Sequence, residues 1–162
     1  MRNIFKALIL GVMFTLGFWS SNIYAEMNTE SPALLDGRTD QRSSPSDWIA
    51  ENQIGVYNSH VILDLQNAEW ATFTDTHSME PVLNSRSNAI EIRPKGPDDI
   101  KVGDIVSYKS KYSEGIIIHR VIEKDSDEDG TYFIMKGDNN PSPDPGKIRF
   151  SQVQRVVVAI VY

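Results

Sequence analysis

From Trp48 onward the chain has no stretch periodic enough for a substantial helix. Its apolar residues fall instead into short β-prone segments: Ile54 to Tyr57, Val61 to Leu65, Trp70 to Phe73, Ile90 to Arg93, Ile105 to Tyr108, Ile116 to Glu123, Thr131 to Met135 and Val156 to Val161. Polar turns and the breaker Pro94-Lys95-Gly96-Pro97 separate them. Segments this short satisfy their backbone groups only by pairing with one another. The pattern therefore predicts a mostly β, antiparallel domain over residues 48–162, with at most one short helical turn capped near Ser46 to Glu51. No internal repeat is visible.

The N-terminus is of another kind. Arg2 and Lys6 precede an apolar run from Ala7 to Trp19, and a polar Ser20-Ser21-Asn22 leads to Ala25. A basic start, a short apolar stretch and a small residue before Glu26 predict a cleavable signal peptide. Counted from Ile4 to Tyr24, the same residues suffice for a membrane anchor. Both readings put the rest of the chain outside the cytosol, because the positive charges stay inside. Residues 26–47, rich in Ser, Thr, Asp, Asn, Arg and Pro, read as a flexible linker.

Composition narrows the function. Sixteen basic against 22 acidic residues give a net charge of -6, and the two cations of the first 25 residues make the remainder more acidic still. That balance argues against nucleic acid as a partner, since phosphate binding requires a basic face. With no cysteine there is neither a disulfide nor a thiolate metal site. A metal would have to rely on carboxylates and three histidines. The run Asp125-Ser126-Asp127-Glu128-Asp129-Gly130 matches the first half of a calcium loop, but its twelfth position is Lys136 rather than a bidentate acid. It is expected to be a solvated hairpin turn between Ile116–Lys124 and Thr131–Lys136.

The chemistry rests on Ser78 and His119. A serine hydroxyl becomes a useful nucleophile when a base removes its proton, and histidine, with an ordinary pKa near 6.5, is the usual base. A carboxylate then orients the imidazole and stabilises its charged form. Ser78 lies after a strand-like run and just before Pro81, where the chain must turn. His119 interrupts the apolar run Ile116 to Ile122 and shares a face with Ile117 and Val121 by alternation. Each has a plain structural alternative: Ser78 as a turn residue, His119 as a buried ring satisfied by the fold. His77 adjoins Ser78 and would point to the opposite face of an extended chain, and His60 has no distinguishing context. For the carboxylate, Asp138 and Asp144 both remain candidates on the residues alone.

The segments Ser78-Met79-Glu80-Pro81, Gly103-Asp104-Ile105-Val106, Ile118-His119-Arg120-Val121 and Lys136-Gly137-Asp138-Asn139-Asn140, in this order and spacing, resemble the type I signal peptidases. The resemblance is to the archaeal and endoplasmic-reticulum branch, which has a histidine base where the usual bacterial branch has lysine. It runs from about Asp47 to the C-terminus. It implies Ser78 as nucleophile, His119 as general base, Asp144 as the charge-relay aspartate and Asp138 as a second aspartate that shapes the site. It further implies an oxyanion hole from the backbone N–H of Ser78, with Thr76 contributing its hydroxyl, and no cofactor. The implied fold is the β-rich peptidase domain shared with LexA-like proteins, in which extended substrate pairs as an added strand.

The expectation is thus a serine endopeptidase that removes signal peptides from exported precursors. It would be membrane-associated through its N-terminal segment, with the catalytic domain on the extracytoplasmic side, or secreted after cleavage at Ala25. Accessory subunits are left open. A LexA-like self-cleaving regulator would need a DNA-binding module and a lysine base. A catalytically silent domain that captures extended peptides is the other alternative.

Overall fold

A computed structural model describes residues 42–162. The segment expected at residues 1–25 and most of the expected linker lie outside them. The described chain is mostly β. In order the strands are β1 (Ile54–Val56), β2 (Val61–Leu63), β3 (Glu69–Thr72), β4 (Asn88–Ile92), β5 (Ile105–Tyr108), β6 (Ile117–Asp127), β7 (Gly130–Lys136), β8 (Ile148–Arg149) and β9 (Val153–Val161). The first two form a separate antiparallel hairpin. The other seven make one antiparallel sheet in the order β3-β4-β9-β5-β6-β7-β8.

Every segment expected from the sequence contains a strand. The two-residue β8 was not expected, because it is too short to display an alternating pattern. Ser46 does not cap a turn. Its N–H donates to Asp104 Oδ1 at 2.7 Å, and a helical turn forms later, at Glu51–Gln53, with a second, unexpected one at Phe150–Gln152. In the first, the Gln53 carbonyl oxygen Oε1 accepts from the Ala50 N–H at 3.1 Å.

The long hairpin also differs from its expected form. Strand β6 continues through Asp125, Ser126 and Asp127, which pair with Tyr132, Thr131 and Gly130. The turn shrinks to Glu128-Asp129, and Gly130 takes a left-handed φ of 96° where the chain reverses. The acidic run is strand because backbone pairing continues along it while its side chains find partners. Asp127 accepts from Lys147 Nζ at 2.6 Å and from Arg149 at 2.8 Å. Among the described residues no group of three or more His, Asp or Glu is placed to hold a metal ion.

Two apolar clusters lie on opposite faces of the sheet, and β5 shows how alternation creates both. Val106 and Tyr108 join Ile100, Val121, Phe133, Met135, Ile148 and Val156 on one side. Ile105 joins Met79, Leu83, Ala89 and Val157 on the other. The turn before β5 is held by Asp104, wholly buried, whose carboxylate accepts from the Ser46 and Lys101 N–H groups. Gly103 has a φ of 104°, and a Cβ there would run into the Ser44 carbonyl. Residues 43–46 thus lie against the sheet domain.

Lys147 above all, with help from Arg149, holds the Asp127 carboxyl down at about 2. A carboxyl depressed in the folded state stabilises the fold above its unfolded pKa of about 3.9 and loses that contribution as pH falls towards the folded value. Asp127→Asn is expected to lower the urea midpoint near neutrality, and the gap from wild type should close between about pH 4 and 2. A gap that does not change with pH would remove the ion pair as its cause.

Candidate active site

Ser78 opens a tight turn after β3. The His77 carbonyl accepts from the Glu80 N–H at 3.3 Å, and the Met79 carbonyl accepts from the N–H groups of Val82 and Leu83, each at 2.9 Å. His77 itself has a φ of 58°, a left-handed conformation uncommon outside glycine and asparagine. Asn139 holds this bend from across the site. Its N–H donates to the Ser78 carbonyl at 2.8 Å and its Nδ2 to the His77 carbonyl at 3.0 Å. Buried Met79 anchors the turn in the apolar cluster below.

His119 reaches Ser78 from the middle of the sheet. On β6 it pairs with Val106 of β5, which sets its height above the turn. Its Nε2 lies 3.1 Å from Ser78 Oγ, and its Nδ1 lies 2.5 Å from Asp144 Oδ2. Ionised Asp144 can only accept, so the ring proton belongs on Nδ1 and Nε2 is free to accept from the Ser78 hydroxyl. Tyr108 reinforces this arrangement by donating its hydroxyl to the same Oδ2 at 2.7 Å. Burial, and then Asp144 itself, raise the Tyr108 phenol far above its ordinary range, so it remains a donor. The loop carrying Asp144 is tied to β7, where the Met135 carbonyl accepts from the Asp144 N–H at 2.7 Å.

The geometry separates the two aspartates. Asp138 does not touch His119; it receives Nε and a terminal nitrogen of Arg120 at 2.8 and 2.7 Å. Both partners are buried. Alternation explains the division, since adjacent residues on β6 point to opposite faces: His119 shares the face of Val106 and Tyr108, Arg120 that of Ile105 and Met79. Arg120 also donates to the carbonyls of Gly103, at 2.7 Å, and Ser43, at 3.2 Å. Gly137, beside Asp138, leaves no room for a Cβ, which would lie 2.6 Å from the Ser78 carbonyl.

Thr76 Oγ1 lies 3.1 Å from Ser78 Oγ, so the two hydroxyls stand side by side. His77 is exposed and directs Nδ1 to Glu80 Oε1 at 2.9 Å, away from Ser78. That hydrogen bond, followed by the charge of Asp75, raises its pKa. His60 stacks on Tyr57 in the β1–β2 hairpin, with ring centroids 4.8 Å apart. Ser78 and His119 border a cleft of about 580 Å³.

Sequence reasoning missed Tyr108 and Arg120 as parts of this site. Tyr108 follows Val106 by two residues and therefore shares its face, a signal usable only once the β5–β6 register is known. Arg120 was legible as the neighbour of His119 but not as the partner of Asp138.

No family model and no solved structure matches the chain. Over 43 residues it is 54% identical to uncharacterized protein MJ0260 of Methanocaldococcus jannaschii. That stretch covers 26% of this chain and 21% of the relative.

Removing one member of a buried ion pair leaves the other charge without compensation. Arg120→Met is expected to destabilise the protein by about 3 kcal/mol in urea unfolding. The double variant Arg120→Met/Asp138→Leu should recover part of that loss. Equal stability of the single and double variants would show that the stranded Asp138 charge is not the cause.

Proposed function

We propose that this protein is a serine endopeptidase of the type I signal peptidase class, acting on signal peptides of exported precursors. The observation that carries the reading is the hydrogen-bonded line from Ser78 through His119 to Asp144. In the reaction the Ser78 hydroxyl attacks the scissile carbonyl as His119 Nε2 takes its proton. Asp144, held in place by Tyr108, stabilises the imidazolium that results. His119 then returns the proton to the leaving amine, and a water molecule repeats the cycle to release the acyl group. The Ser78 N–H and the Thr76 hydroxyl would face the oxyanion.

The cleft suits an extended peptide. It runs between residues 71–76, beyond the edge strand β3, and residues 116–118 at the start of β6. On the side toward β7, β6 pairs only from Arg120 onward, leaving backbone groups for an added strand. Association with a membrane is part of the proposal, with the N-terminal segment as anchor or cleaved leader and the domain extracytoplasmic. The β1–β2 hairpin supports it by exposing Ile54, Val56, Tyr57, Val61 and Ile62 together. The four sequence segments shared with the archaeal and endoplasmic-reticulum enzymes support the family and its LexA-like scaffold. No cofactor enters this chemistry.

The test is cleavage of a signal-bearing precursor. Wild type should process it, while Ser78→Ala and His119→Ala should not. Asp144→Asn is expected to lower kcat by about 10⁴, because the wrong histidine tautomer is then favoured. A serine-reactive probe should label wild type but not Ser78→Ala. Undiminished cleavage by either alanine variant would overturn the mechanism; a wild type that binds precursor without cutting or labelling would be a peptide-capture domain.

A further inference from the structure

The cleft contains a polar group that the proposed chemistry does not use. Glu91 of β4 lines it, yet the residue is only 6% exposed and its Oε1 has no hydrogen-bond partner. The apolar side chains of Ala71, Phe73, Met79, Leu83 and Ile118 border the same cleft, alongside polar ones. Burial raises the Glu91 carboxyl above its ordinary range, with a hydrogen bond from Ser107 acting in the opposite sense. The cation on the adjoining strand is committed elsewhere, since Arg155 pairs with Glu69 and donates to the Asn67 carbonyl. No lysine or arginine lines the cleft, whereas Glu91 and Glu114 do.

A buried acceptor without a partner lowers stability, and native folds rarely keep one without a use. Ala71 and Ala89, paired directly across β3 and β4, place two small side chains next to Glu91. Apolar walls alone discriminate weakly between occupants of similar size. An acceptor that stays unpaired unless the occupant brings a donor discriminates strongly.

We infer that Glu91 is a specificity-determining residue of this cleft, accepting a hydrogen bond from a substrate side chain that ends in a donor, either ammonium or hydroxyl. The inference rests on the peptidase reading for its readout. It makes the cleft selective for polarity at one substrate position, beyond any selection by size.

The experiment is a set of peptides around one cleavage site, each upstream position carrying in turn alanine, 2-aminobutyric acid, valine, serine, threonine or diaminobutyric acid. Wild type is expected to favour the donor-bearing side chains at one position by about tenfold or more in kcat/KM over apolar residues of like size. Glu91→Gln, which keeps a carbonyl acceptor but no charge, should retain the hydroxyl preference and lose the ammonium preference. Glu91→Leu should lose both. Binding of the same peptides to Ser78→Ala should follow the same order, independently of turnover. Efficient cleavage with no donor preference at any position would overturn the inference and leave the peptidase reading standing, as would a preference that survives in Glu91→Leu. If no peptide is cut and Ser78 is not labelled, both fall.

Discussion

The bidentate pair between Arg120 and Asp138 is the interaction on which the site's geometry depends. Arg120 stands on the opposite face of β6 from His119, so one strand carries both the imidazole and the clamp. By gripping Asp138 it fixes the loop after β7, and that loop holds the backbone of the Ser78 turn through Asn139. The same guanidinium reaches the carbonyls of Gly103 and Ser43, joining the start of β5 and the incoming chain. A buried pair of this kind is a poor source of net stability, because desolvating both charges offsets much of their attraction. Its value here is positional: it gives the Ser78 turn one arrangement.

The histidine's role is set by its surroundings. Asp144, itself held by the Tyr108 hydroxyl, addresses the Nδ1 side of the ring, which leaves Nε2 directed at Ser78. Tyr108 comes from β5 and Asp144 from the loop after β7, so three separate parts of the sheet converge on one imidazole. Convergence of this kind needs a fixed β5–β6 register. A slip of one residue on β6 would turn His119 away and bring Arg120 into the cleft.

Much of the architecture was legible beforehand because half-buried strands write their period into the sequence. The segments around Ile105, Ile116 and Val156 reappear as the central strands β5, β6 and β9. Features that lack a period did not show. Strand β8 has two residues, and the acidic end of β6 reads as a turn because its side chains are polar, although its backbone pairs on to Asp127. Within the site, Ser78 and His119 stood out by chemical type and context. The two aspartates could not be told apart from local sequence, since both sit in polar loops with turn-forming neighbours.

The sequence alone determined the β character of residues 48–162, the acidic net charge, and which hydroxyl and imidazole were worth pairing. Those properties are local, carried by residue type and by the spacing of neighbours. Only the tertiary structure decided that Asp144 meets His119 while Asp138 meets Arg120, that Tyr108 meets Asp144, and that one carboxylate oxygen of Glu91 lies unpartnered beside the cleft. Each of these depends on strand register and on loops crossing between distant segments. The physical reason is that a side chain's face is set by its own strand, but its partner is chosen by how strands far apart in the chain align.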